Sequence, residues 1–126
     1  MKLVKLLSSA LMVSGIMLAA PAHAAGDAAK GKTLFARCAV CHSVEAGKTM
    51  IGPSLNKVIG RKAGTLAGFA YSPAMKKYAK TWNPQTLDTY ITAPMKAVPG
   101  TKMVFAGIAN PKDRADLIAY LQSATK

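Results

Sequence analysis

The two cysteines of this chain lie in one five-residue stretch, Cys38-Ala39-Val40-Cys41-His42, which constrains the fold more than any other feature of the sequence. In a helical turn, residues three positions apart lie on the same face, so both thiols point to one side. This spacing is typical of the covalent attachment of c-type haem, in which the two sulfurs bond to vinyl groups on one edge of the porphyrin. The sequence therefore predicts thioethers at Cys38 and Cys41, with His42 beneath the iron.

Three other chemistries share parts of this motif. A thioredoxin-like dithiol has the same cysteine spacing, but that fold needs a βαβ pattern, and none surrounds the motif. A structural zinc site needs about four cysteine or histidine ligands, whereas Cys38, Cys41 and His42 are the only such residues after residue 25. A plain disulfide would leave His42 without a role. Haem attachment is the interpretation that uses all three side chains.

Residues 1–24 have the pattern of a secretory signal peptide. Lys2 and Lys5 form a basic start, residues 6–20 are mostly apolar, and Ala22-His23-Ala24 fits the small-x-small pattern before a cleavage site. An uncleaved membrane anchor is the alternative, but the apolar run is shorter than the ~20 residues that a spanning helix needs, and it contains serines and a glycine. We expect cleavage after Ala24, export to a bacterial periplasm, one domain at residues 25–126, and no stable membrane insertion of that domain.

The charge of the chain narrows the class of partner. The sequence has 17 lysines and arginines against 5 aspartates and glutamates, a net charge of +12. Loss of Lys2 and Lys5 with the signal peptide removes two of these charges and leaves +10. A surface this basic favours an acidic partner. Nucleic acid is a poor fit, because the sequence has no DNA-binding motif and no stripe of arginines and aromatic residues.

Signals for helix starts recur along the chain. Asp27 is a good N-cap for a helix that ends near residue 37. Three prolines directly follow cap-type residues and predict further helix starts, at Ser72-Pro73, Asn83-Pro84 and Asn110-Pro111. The last of these helices has the clearest pattern, because apolar residues repeat at helical spacing towards the end of the chain, as Leu117, Ile118 and Leu121.

The segments between these helices predict long loops. Residues 47–68 and 94–107 are rich in glycine and proline and lack the alternation of strands. They also carry large apolar side chains, among them Leu55, Val58 and Phe105, and Phe69 directly follows the first segment. Much of the remaining apolar content is alanine, which buries little area. We therefore expect an all-α fold in which large ordered loops wrap a buried apolar cofactor.

A second axial ligand for the iron must come from the rest of the chain. Without another histidine after residue 25, a methionine thioether is the natural choice, and His/Met ligation raises the reduction potential of haem iron. Four methionines are available, Met50, Met75, Met95 and Met103. Met103 is favoured because it lies late in an irregular loop, remote in sequence from His42, and such a loop can cover the opposite haem face.

With these features together, the chain resembles the small soluble class I cytochromes c of mitochondria and their bacterial relatives. The resemblance covers residues 26–126. It includes Gly31 with Phe35, the motif that ends at His42, Gly52-Pro53, Gly60-Arg61-Lys62, Gly68-Phe69-Ala70-Tyr71-Ser72, Thr81-Trp82, Pro99-Gly100-Thr101-Lys102-Met103 and Asp116-Leu117-Ile118-Ala119-Tyr120-Leu121.

The resemblance implies a fold and a set of iron ligands. The fold is the cytochrome c fold, with crossed N- and C-terminal helices, short helices and long loops around one haem. Gly31, Phe35, Leu117 and Tyr120 match the contact between the crossed helices. One haem c is implied, attached covalently through the two cysteines and ligated by His42 and Met103.

Further haem-contacting residues are implied by the same resemblance. The backbone carbonyl of Pro53 is expected to accept the imidazole N–H of the ligating histidine. Trp82 and Tyr71 match the pair that hydrogen-bonds a buried haem propionate, with Arg61 nearby to balance its charge. Tyr90 matches the tyrosine near the methionine ligand, and Thr101 is expected among the residues that bind the cofactor.

The function implied by the resemblance is one-electron transfer without transformation of a substrate. The expected protein is a monomeric periplasmic shuttle that docks on acidic faces of redox proteins, through a basic edge that includes Arg37, Lys96 and Lys102. A quinol-oxidising membrane complex is the implied donor, and a terminal oxidase, a photosynthetic reaction centre or a periplasmic dehydrogenase stands at the other end. Met95 departs from the mitochondrial pattern, in which many relatives have a lysine. A haem peroxidase, a gas-binding cytochrome and a dithiol exchanger are the alternatives.

Overall fold

The structure is a computed structural model that describes residues 26–126. It contains the helices α1 (Ala28–Phe35), α2 (Pro73–Tyr78), α3 (Pro84–Thr92), α4 (Pro94–Ala97) and α5 (Pro111–Ala124). The described residues form no strand, and an isolated antiparallel bridge joins Lys62 to Thr81. The expected all-α class is confirmed.

The predicted signal peptide lies outside the described residues. Across residues 26–126, none of the helices has the length and apolar character needed to span a membrane.

Local capping chemistry explains where four of the helices begin. The side chain of Asp27 accepts hydrogen bonds from the backbone N–H groups of Ala29 and Lys30, and Asn110 caps α5 in the same way. Ser72 caps α2, with a proline at the start of the helix. Asn83 and Thr86 form a reciprocal capping box at α3. All four predicted helix starts are confirmed.

Two boundaries differ from the prediction. Helix α1 ends at Phe35 rather than near residue 37, because the chain tightens into turns in which the N–H groups of Cys38 and Ala39 both donate to the Phe35 carbonyl. Helix α4 lies in a segment predicted as loop. It is four residues long, and Ala93 before it makes no side-chain cap hydrogen bond, so the sequence carries no cap signal there.

The first and last of the described helices, α1 and α5, pack directly against each other. A Cβ at Gly31 would collide with the backbone carbonyl oxygen of Asp116, so only glycine allows this approach. The rings of Phe35 and Tyr120 lie 5.3 Å apart between centroids, and Leu117 is fully buried beside them. The helix crossing expected from the resemblance is therefore present.

A carboxylate fastens the same crossing. The buried side chain of Asp116 accepts a hydrogen bond of 2.7 Å from the backbone N–H of Asp27, and Lys112 Nζ lies 3.1 Å from it. The hydrogen bond from Asp27, with help from the hydrogen bond and charge of Lys112, holds the pKa of Asp116 below its usual value of 3.8 despite burial. Asp116 therefore stays ionised and ties the start of α1 to α5.

The other elements pack their apolar sides towards the middle of the molecule. Met75 of α2 and Leu87, Tyr90 and Ile91 of α3 are buried there, together with Val58, Trp82 and the inner face of α5. These residues do not close on one another completely. They leave a cleft between the helices and the long loops.

Candidate functional site

A cleft of about 300 Å³ lies between the helices and the long loops. Most of its wall is apolar, with Phe35, Leu55, Val58 and Leu117 among the contributors. The structure places all ten sequence-predicted site residues on this wall: Cys38, Cys41, His42, Pro53, Arg61, Tyr71, Trp82, Tyr90, Thr101 and Met103.

The cysteine turn forms one side of the cleft. The N–H of Cys41 and the N–H of His42 both donate to the Cys38 carbonyl, at 3.0 and 2.9 Å. The N–H of Gly52 then donates to the Cys41 carbonyl at 2.8 Å. Both thiols are free and half-buried, and burial raises the pKa of Cys38 although the charge of Arg37 opposes this. The backbone thus presents two thiols and an imidazole to one space.

The imidazole of His42 is held in a fixed orientation. Its Nδ1 donates to the Pro53 carbonyl at 2.8 Å, so in the neutral ring Nε2 carries the free lone pair. Burial lowers the pKa of His42, although the bond to Pro53 opposes this, so the neutral ring is favoured. Gly52 packs against the ring: a Cβ there would lie 2.7 Å from Nδ1 and 2.9 Å from Nε2. Sequence reasoning missed this role of Gly52.

Met103 also lines the cleft, and it lies in an irregular loop. The hydroxyl groups of Tyr90 and Thr101 are hydrogen-bonded at 2.8 Å, and Thr101 Oγ1 also accepts from the Met103 N–H at 3.3 Å. Burial, more than any neighbour, raises the pKa of Tyr90, so its hydroxyl keeps its proton. The pair Tyr90 and Thr101 therefore positions the start of the loop that carries Met103.

The four candidate methionines separate by location. Met50 and Met95 are 41% and 58% exposed and do not line the cleft. Met75 and Met103 both line it, but Met75 is a buried residue of α2 and packs in the core. Of these two, Met103 is the one carried by a loop at the edge of the cleft.

Polar groups occupy another part of the wall. Arg61 donates to the backbone carbonyls of Ser54, at 3.0 Å, and Asn56. Trp82 packs between Tyr78 and Tyr90, with ring centroids 5.7 and 5.1 Å away. Within residues 26–126, the indole N–H of Trp82 and the hydroxyl of Tyr71 make no hydrogen bond to the protein, while both residues line the cleft.

The charges around the cleft are of one sign. Arg37, Arg61 and Lys102 line it, and no carboxylate of the described chain does. Three of the five acidic side chains form ion pairs elsewhere: Asp88 pairs with Arg114, Asp116 with Lys112, and Glu45 with Lys48. Lys102 is exposed, as expected for the basic edge, but its Nζ also donates to the Ala70 carbonyl at 2.8 Å and links two loops, which the sequence did not predict.

Known proteins resemble this chain in sequence and in fold. A family model described as cytochrome c matches residues 28–125. Cytochrome c2 of Rhodomicrobium vannielii is 48% identical over 118 residues, which cover 93% of this chain and 94% of that protein. Cytochrome c2 iso-2 of Magnetospirillum fulvum is 56% identical over 89 residues, 71% of this chain and 93% of that one.

A solved structure agrees with the sequence comparisons. Cytochrome cH from Methylobacterium extorquens superimposes with a TM-score of 0.74 at 48% identity, covering 78% of this chain and 99% of that one. The resemblance inferred from the motifs and the expected fold are both confirmed. The chain belongs to the cytochrome c family, whose members are haem-containing electron carriers and not enzymes.

Proposed function

We propose that the chain is a periplasmic one-electron carrier, with one haem attached through thioethers to Cys38 and Cys41 and its iron ligated by His42 and Met103. The observation that supports this most strongly is the convergence of all ten predicted residues on one apolar cleft, although they come from segments far apart in the chain.

The residues fit the cofactor chemically. The wall is apolar enough to hold a porphyrin, and the two half-buried thiols stand on a single turn of chain. The Nδ1 bond to Pro53 leaves Nε2 of His42 as the nitrogen available for a metal. The contact with Gly52 prevents the ring from tilting away. When bound, the haem supplies reversible exchange of one electron between Fe(II) and Fe(III).

The residues of this chain then control what the site can do. If His42 and Met103 both hold the iron, no ligand position would remain open on it, so a substrate could reach the metal only by displacing a side chain. The Pro53 carbonyl increases the basicity of the imidazole by accepting its N–H. Trp82 and Tyr71 line the cleft, and a haem propionate there would accept hydrogen bonds from the indole N–H and the hydroxyl, with Arg61 supplying the compensating charge.

The surface supports electrostatic docking. Arg37 and Lys102 line the cleft edge and are exposed, while three of the acidic residues are paired with bases away from it. Acidic faces of a quinol-oxidising complex as donor, and of an oxidase, a reaction centre or a dehydrogenase as acceptor, are the partners that fit this charge. Exposed charges are screened over ~10 Å at 0.1 M salt, so association rates with isolated partners should fall steeply as ionic strength rises. Rates independent of salt would contradict this part of the proposal.

Intact mass tests the cofactor and the signal peptide together. Full-length chain expressed with a working haem-attachment system should give a periplasmic protein whose mass equals residues 25–126 plus one haem. The bare mass of residues 25–126 in folded protein would overturn the proposal. An absorption spectrum then distinguishes the carrier from a peroxidase or gas-binding cytochrome: a low-spin spectrum that resists carbon monoxide supports the carrier, and ready uptake of carbon monoxide supports the alternatives.

A further inference from the structure

The residues that follow Met103 have almost no polar attachment to the rest of the protein. Within the described chain, no hydrogen bond involves residues 104–107, and backbone pairing resumes only where the N–H of Ile108 donates to the Ile91 carbonyl at 2.9 Å. Val104 is 93% exposed, so it contributes little packing. Gly107 is fixed by its close packing against the Thr92 backbone. Between Met103 and Gly107, Phe105 is the side chain that packs against the core, since Val104 and Ala106 are exposed.

Arg37 contacts Phe105 across the edge of the cleft. Its guanidinium carbon lies 5.3 Å from the centroid of the Phe105 ring, within the range of a cation–π contact. Arg37 directly precedes Cys38, and Phe105 follows Met103 by two positions. Both line the cleft. The contact therefore joins the two segments that carry the proposed attachment and ligand residues.

Within residues 26–126, Arg37 makes no ion pair that would explain the position of its guanidinium group. The three ion pairs found among residues 26–126 involve other bases, and none involves Arg37. The residue is exposed, so a freely solvated side chain would be expected in the absence of an attraction. Arginine suits such a contact better than lysine, because its planar group stacks on aromatic faces and is less strongly hydrated.

We propose that Arg37 is a positioning residue that holds residues 103–106 against the cleft through the ring of Phe105. The inference rests on the proposed function, because it assigns to this contact the task of keeping Met103 on the iron. Loss of the contact would leave the covalent attachment intact and increase the fraction of time for which the loop is open.

Imidazole titration of the oxidised holoprotein measures this opening. Exogenous imidazole competes with Met103, so its apparent affinity rises with the population of the open loop. Arg37→Gln should bind imidazole about two- to fivefold more tightly than the wild type, the factor that an exposed cation–π contact contributes. Arg37→Lys should lie between the two. Lys32→Gln removes the same charge from the last turn of α1 and should match the wild type.

A second background isolates the contact itself. In Phe105→Leu protein, Arg37→Gln should have no further effect on imidazole affinity, because the ring is already absent. Hydrogen exchange at the Val104 and Phe105 amides should accelerate in Arg37→Gln by a similar factor and remain unchanged in Lys32→Gln. Equal behaviour of Arg37→Gln and Lys32→Gln in both measurements would overturn the inference.

The proposed function would fail differently. If the wild-type holoprotein lacks a thioether-to-iron absorption band, the ligand assignment is wrong, whatever the variants do. Hydrogen exchange still tests in that case whether Arg37 holds the segment.

Discussion

The two sides of the cleft are built by different means. On the side of His42, backbone groups hold the chain. The N–H groups of residues 38, 39, 41 and 42 donate within their own turns, the N–H of Gly52 donates to Cys41, and the Pro53 carbonyl accepts from the imidazole. On the side of Met103, residues 102–107 make no backbone-to-backbone hydrogen bond in the described chain. Side chains hold that segment instead, through Thr101, Lys102 and Phe105.

Because of this difference, the two sides should be sensitive to different kinds of substitution. A backbone-paired turn loses little when one exposed side chain is changed, but it does not tolerate added volume against the pairing. A segment held by side chains opens when single polar or aromatic groups are removed, and it belongs to the low-stability end of the molecule. The His42 side is therefore the rigid side of the cleft, and the Met103 side is the adjustable side.

Removal of the thioether should have the largest effect. Met103→Ala should abolish the thioether-to-iron absorption band and allow carbon monoxide to bind the reduced protein, because the proposed ligand has no substitute at that position. Met75→Leu is the matched control, since Met75 also lines the cleft but lies buried on α2. It should keep the band and lose less than about 1.5 kcal/mol of unfolding free energy. A normal spectrum in Met103→Ala would contradict the assignment.

Added volume should break the rigid side. In Gly52→Ala the new Cβ would collide with the His42 ring, so the ring or the backbone must shift. We expect a loss of about 1–3 kcal/mol in the free energy of unfolding, together with a changed visible spectrum. The comparison variant is Gly47→Ala, which has open space around it but a φ of +71°. It should cost about 1–2 kcal/mol through backbone strain alone and leave the spectrum unchanged.

Loss of one hydroxyl should loosen only the adjustable side. Tyr90→Phe removes the hydrogen bond to Thr101 and should cost about 0.5–1.5 kcal/mol of stability. Native-state hydrogen exchange should accelerate at the amides of residues 101–105 and stay unchanged, beyond the global effect, at residues 38–42. Equal acceleration on both sides would show that the two segments open as one unit, and the contrast between them would be lost.

Acid should lower the stability of both sides of the cleft together, because it protonates Asp116, which belongs to neither side. Because its pKa is held below 3.8 in the folded protein, its contribution is present above that pH and is lost as the pH falls through the lowered pKa. Asp116→Asn should be less stable than the wild type at neutral pH, and the difference should shrink below pH 3.8. Denaturant unfolding at a series of pH values measures this, and a difference that stays constant with pH would refute it.

Local chemistry made part of this molecule predictable. The caps Asp27, Ser72, Asn83 and Asn110 act on residues within three positions, so the sequence alone located four helix starts. Helix α4 escaped because Ala93 cannot cap it. The motif at Cys38 and the family resemblance supplied the site residues that the structure places around the cleft.

The missed features depend on contacts between distant segments. Lys102 bonds the Ala70 carbonyl 32 positions away, Gly52 packs on a ring ten positions earlier, and Arg37 stacks on Phe105. None of these pairs leaves a local pattern in the chain, because each follows from how the loops cross. One hint of the role of Gly52 was present in the sequence: it directly precedes Pro53, the residue expected to accept the hydrogen bond of the histidine.

The crossing of α1 and α5 also determines when the cleft wall can close during folding. Asp27 and Asp116 meet across 89 positions, and the residues that line the cleft run from Phe35 to Leu121. All of the lining residues except Leu117 and Leu121 therefore belong to a stretch of chain bounded by one long-range closure, which carries a larger entropic cost than any local turn. Until α5 docks on α1, the wall lacks Leu117 and Leu121, and a large cofactor can enter the cleft from that side.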